Sequence, residues 1–135
     1  KEEMAKWSDK AKQEYSAKVE PKINAVVASS MSTFTDQMSK LHMMCKGDED
    51  CSDEALDAKA EEITAARKQE SEAHLKEVKE EITKMEDVDE EERDRIFAEN
   101  EKAMERMRLE MDEEQRLQVE KLKKQLAERR ANRKK

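Results

Sequence analysis

The stretch Cys45-Lys46-Gly47-Asp48-Glu49-Asp50-Cys51 holds the only glycine of the chain and both of its cysteines. Gly47 follows a long helical run and can take the left-handed conformation that closes a helix C-terminus at no steric cost. Beyond it come Asp48, Glu49, Asp50, Ser52, Asp53 and Glu54. These residue types cap a helix N-terminus or favour its positive dipole end. The reading is a turn over 47–52, with one helix ending at the glycine and a second beginning near Ser52.

If the two helices pack antiparallel, Cys45 and Cys51 come close enough for a short disulfide across the turn. The other reading is two free thiols, Cys45 in a packing position and Cys51 exposed, as suits a reducing compartment. His42, Cys45 and Cys51 also offer imidazole and thiolate donors, but only three of them and without the paired spacing of a structural zinc site. The acidic run from Asp48 to Glu54 lacks the EF-hand pattern. No metal or cofactor is assigned, and a calcium- or zinc-responsive hairpin is kept as an alternative.

Outward from the turn, the composition favours helix everywhere. Of 135 residues, 47% are charged and 3% aromatic, with one Gly and one Pro. So few breakers and so many Ala, Glu, Lys, Arg, Met and Gln residues give high helix propensity but little material for a globular core. The expected class is all-α: an elongated antiparallel helical hairpin or a three-helix up-down-up bundle with coiled-coil packing. No apolar stretch approaches the length that spans a bilayer, and no signal-peptide core is present. The chain opens on Lys1 rather than Met, so the missing signal says nothing about compartment.

Before the turn, Met4, Trp7, Ala11, Tyr15 and Val19 recur at steps of three and four and mark one helix face. Pro21 lacks an N–H and disfavours helical geometry at Glu20, which predicts a kink. From Ile23 the series Val27, Met31, Phe34, Met38, Leu41 and Cys45 reads as a heptad seam. One helix over about 2–46, kinked near Pro21, follows.

After the turn, the apolar residues of 53–86 form a second helix. The acidic run Glu86 to Glu92 contains neither Gly nor Pro, yet Asp89 with a glutamate at the third helical position resembles a capping box. A third helix is expected over about 90–133, within a single domain spanning 1–135. Its basic end carries Arg129, Arg130, Arg133, Lys134 and Lys135, which could contact nucleic acid or another anionic surface.

The run Asp112-Glu113-Glu114-Gln115-Arg116-Leu117-Gln118-Val119-Glu120-Lys121-Leu122-Lys123-Lys124-Gln125-Leu126-Ala127-Glu128-Arg129-Arg130 resembles segments of limbin-like long coiled-coil scaffold proteins. That resemblance implies a coiled-coil scaffold.

Functionally, the sequence has no Gly-rich phosphate loop and no nucleophile with a base at informative spacing, so no catalytic residue is named and an enzyme is not expected. The expectation is a structural or protein-interaction module of a larger coiled-coil protein, a spacer or docking scaffold. Trp7, Tyr15, Met104, Met107 and Met111 are the candidate partner anchors. Protein partners would meet coiled-coil surfaces, a second copy of the chain included. The setting is cytoplasmic or cytoskeletal, or extracellular or lumenal if Cys45 and Cys51 are joined.

Overall fold

The computed structural model describes residues 7–46 and 51–133, and every regular element among them is helical. Helix α1 spans Asp9–Glu14, and a π-helical turn, Tyr15–Val19, leads into α2, Glu20–Met44. Helix α3 spans Asp53–Thr83 and α4 spans Glu90–Arg133. Met4, Gly47, Asp48, Glu49, Asp50, Lys134 and Lys135 lie outside the described residues.

Side-chain caps set the starts of α1, α3 and α4. Ser8 Oγ accepts from the Ala11 N–H at 3.1 Å, and Ser52 Oγ accepts from the Ala55 N–H at 3.1 Å. Asp89 Oδ1 accepts from the Glu92 N–H at 2.8 Å. Each satisfies an N–H that has no partner within its own helix. Glu92, the other half of the anticipated capping box, turns instead to the first helix and accepts from Ser8 Oγ at 2.7 Å. Asp89→Ala should therefore lower stability by about 1 kcal/mol, the usual cost of losing such a cap. Urea unfolding of the two proteins side by side measures it.

The irregularities have local causes. Pro21 has no N–H to offer, and in a regular helix its ring would press on the carbonyl of residue 17. The chain widens just before it, with the Glu20 N–H reaching the Tyr15 carbonyl five residues back. The expected kink is thus a π turn. Helix α3 stops at Thr83 rather than near residue 86, because the Lys84 and Met85 N–H groups tighten onto the carbonyls of Glu81 and Ile82, both at 3.1 Å. Asp87 then takes φ 57°, a left-handed conformation that aspartate tolerates better than most residues. This is how the chain reverses without a glycine.

Packing resolves into two compact units, each assembled from separated parts of the sequence. The first combines the described residues of 1–30 with 70–106. Trp7, Ala11, Val19, Val26, Val78, Ile82, Met85, Val88, Ile96 and Met104 form its core. Burying a large aliphatic side chain of this kind is worth about 1.5–3 kcal/mol. Contacts from Ser8 to Glu92 and from Tyr15 to Asn100 run parallel, whereas Lys22 with Glu77 and Ser30 with His74 run antiparallel. Within this unit the three helical segments therefore run up, down and up.

Polar clamps close the 84–89 turn of this unit. Lys18 Nζ donates to Glu14 at 2.8 Å and to the Lys84 carbonyl at 2.9 Å, and the Glu86 N–H donates to Glu14 Oε1 at 2.5 Å. The Lys18 hydrogen bond, then the Glu86 N–H, hold the Glu14 carboxyl below its ordinary value of 4.5. A carboxyl with a depressed folded pKa stabilises the fold above its unfolded pKa, and the stabilisation disappears as pH falls through the folded value. The acid limb of stability below about pH 4.5 should accordingly flatten in Glu14→Gln, as thermal melts at stepped pH would register.

The second unit combines the described residues of 31–69 with 107–133. Its core contains Met38, Leu41, Cys45, Cys51, Leu56, Ile63, Val119, Leu122 and Leu126, with Phe34 and Ala60 packed against it. The anticipated seam holds at Phe34, Met38, Leu41 and Cys45, and Ile23 packs on the core of the first unit, but it slips between them, where Val26 is buried and Met31 is 58% exposed. The inward place between Val26 and Phe34 falls to Ser30, whose hydroxyl meets His74 Nδ1 at 3.3 Å. Met31, one residue on, is rotated outward by about 100°.

Candidate interaction surface

The second unit holds a buried polar layer. Arg67 on α3 is 7% exposed, and its guanidinium reaches Asp112 Oδ1 and Gln115 Oε1 on α4, each at 2.5 Å. The same group lies 5.2 Å from the centre of the Phe34 ring on α2. Gln115, also buried, donates through Nε2 to the Ala60 carbonyl and to Thr64 Oγ1, both at 2.9 Å. Arg108 adds a second cation to Asp112 at 3.4 Å. One arginine thus touches all three helices of the unit. Charged residues crowd the sequence, so nothing in its pattern marked Arg67 as the buried one.

Cys45 and Cys51 are joined in a disulfide, with Cα atoms 5.2 Å apart. Both are buried, so Cys51 does not occupy the exposed position of the free-thiol reading. Bonded to each other, the sulfurs are not thiolate donors, and His42 Nε2 is engaged with Gln118 Oε1 at 2.8 Å. Among the described residues, no group of three or more His, Cys, Asp or Glu is placed to hold a metal ion.

The basic end of α4 meets the two bridged cysteines. Arg129 donates to the Cys45 carbonyl at 2.9 Å and Arg130 to the Cys51 carbonyl at 3.4 Å. The first contact places a cation at the negative end of α2, where carbonyls lack intrahelical partners. Lys123 pairs with Asp57 at 2.7 Å, a hydrogen bond that raises the lysine pKa. Arg116 bridges Glu113 and Glu120, and its hydrogen bond holds the Glu113 carboxyl below the ordinary range. Arg133 is exposed, and Lys134 and Lys135 lie outside the described residues. Much of the basic end therefore serves contacts within its own unit.

The candidate anchors separate in the same way. Trp7 is 7% exposed and packs edge-on against Tyr15, with ring centres 5.0 Å apart. Tyr15 donates its hydroxyl to Asn100 Oδ1 at 2.9 Å, and burial raises its pKa. Met104 belongs to the core of the first unit. Met107 and Met111 remain partly open, and with Met31, Phe34, Thr35, Glu110 and Glu114 they line a groove of about 350 Å³ between α2 and α4 of the second unit. The sequence pointed to Met107 and Met111 but read Met31 as a seam residue.

No helix among the described residues is long and apolar enough to cross a membrane. Compared with known proteins, the chain matches no family model, no curated protein and no solved structure.

Proposed function

We propose that the chain is a non-catalytic structural and protein-interaction module, a spacer or docking scaffold of the coiled-coil class that its 112–130 segment resembles. The observation that carries this reading is the division of labour among its apolar residues. Trp7, Tyr15 and Met104 serve packing, while Met31, Met107 and Met111 are left at a groove with access to solvent. The polyanion reading has less support, because Arg129 and Arg130 are engaged at the disulfide turn. That disulfide supports a setting in an oxidising compartment, outside the cell or in a secretory lumen.

The test is affinity purification of crosslinked partners with the chain and with its Met31→Ser/Met111→Ser variant, after circular dichroism shows both to be helical. Specific proteins recovered with the first and lost with the second are the expected result. Identical sets, or recovery of none, would remove the docking reading.

A further inference from the structure

We infer that the groove formed by Met31, Phe34, Met107 and Met111 receives the apolar face of a lysine- or arginine-rich amphipathic helix from a partner protein. The inference rests on the docking reading above and names the chemistry of the partner. Three methionines and a phenylalanine make an apolar lining that adapts to the side chain it meets. The walls are helices, which offer no unpaired edge for an added strand, so recognition must run through side chains.

Charge then selects the partner. Among the described residues, Glu110 and Glu114, both exposed, are the charged residues that line the groove. Glu114 accepts from the Gln118 amide at 2.9 Å, a neutral partner that leaves its charge in place. Two carboxylates on a chain of net charge −7 favour cations at the rim and repel nucleic acid or an anionic membrane. By contrast, the larger α3–α4 depression, about 610 Å³, is lined by charges of both signs, several of which already pair, as Asp57 does with Lys123 and Glu120 with Arg116.

A second copy of the chain is a poor occupant. Its own basic helical segment lies near the end of α4, where Leu122 and Leu126 are 4% and 6% exposed in their own core, which leaves Leu117, 46% exposed, as a single leucine rather than a stripe to insert. Presenting the two buried leucines to a neighbour would unfold the unit that presents them. The partner therefore supplies both an apolar stripe and flanking cations from a different sequence.

Two labelled synthetic amphipathic helices of about 18 residues, one of leucine and lysine and one of leucine and glutamate, are titrated with the full chain by fluorescence anisotropy. The leucine–lysine helix should bind and the leucine–glutamate helix should not. Met31→Ser, at an exposed position, should weaken binding about tenfold or more, and Glu110→Gln/Glu114→Gln should weaken it and reduce its salt dependence. Leu109→Ser, exposed but outside the groove, should leave binding unchanged.

Equal losses with Leu109→Ser and Met31→Ser, or indifference to Met31→Ser, would overturn the inference by showing attraction to the acidic chain at large. So would a dimer in sedimentation that Met31→Ser dissolves, which would assign the groove to a second copy. No binding of the leucine–lysine helix, with specific partners still lost in Met31→Ser/Met111→Ser, would sink the basic-helix inference and leave the docking reading standing.

Discussion

Arg67→Ala is expected to lower the unfolding free energy by about 3 kcal/mol, near the lower end of what breaking a buried ion pair costs. The figure is kept low because the Asp112 side chain is 28% exposed and retains Arg108 as a partner. The larger share comes from Gln115, 4% exposed, whose oxygen loses the donor at Arg67 Nη2. The cation stacked on Phe34 is lost as well. Replacing both ends with apolar groups of similar length is a different experiment: Arg67→Met/Gln115→Leu should unfold within about 1 kcal/mol of the parent, because the buried guanidinium and the buried amide leave together and Asp112 keeps Arg108. Equilibrium urea unfolding distinguishes the two. A double variant as unstable as Arg67→Ala would show that the polar contacts themselves supply net stability, since its apolar side chains keep the packing.

What the arginine confers is placement. Aliphatic side chains on long amphipathic helices can slide by a turn at small cost. A guanidinium that must meet Asp112, Gln115 and Phe34 together has one position in which its partners are satisfied. That position also sets Phe34 beside Met107 and Met111 and so forms the groove. Stability and the candidate site are thereby tied to one residue.

The parts of this arrangement that were legible in the sequence are those governed by local chemistry. Ser52 and Asp89 announced helix starts because a cap acts within three residues of itself. Pro21 announced an irregularity because a missing N–H acts within one turn. The all-helical class followed from a composition with almost no breakers. What escaped is set by partners distant in sequence. Arg67 and Asp112 are separated by 45 residues, Cys45 and Arg129 by 84. Met31 illustrates the loss most directly: its spacing fits the seam, yet Ser30 takes the inward place because His74 lies opposite with a ring nitrogen for its hydroxyl. No periodicity within one helix reports what the facing helix carries. The division into two units was hidden for the same reason, since each unit draws on two remote parts of the chain.

Reducing the Cys45–Cys51 disulfide should cost about 2 kcal/mol and lower the melting temperature by about 6 °C. The bond closes a short loop, six residues in sequence separation, so the entropy it removes from the unfolded chain is small compared with that of a long-range bridge. Its effect on the folded state reaches further along the chain. Arg129 and Arg130 bind the carbonyls of the two bridged residues, and Leu126, one turn earlier, is buried in the same core as both cysteines. Once the bridge opens, those carbonyls lose their fixed spacing, and the end of α4 loses the acceptors that hold it. Hydrogen exchange should therefore accelerate at residues 126–133 of the reduced chain as well as around the turn. Arg129→Gln/Arg130→Gln with the disulfide intact should reproduce the faster exchange of that helix end but not the full drop in melting temperature. If reduction changes neither exchange at 126–133 nor the melt, the turn is held by its arginines and its core leucines alone, and the bridge contributes nothing to the stability of the unit.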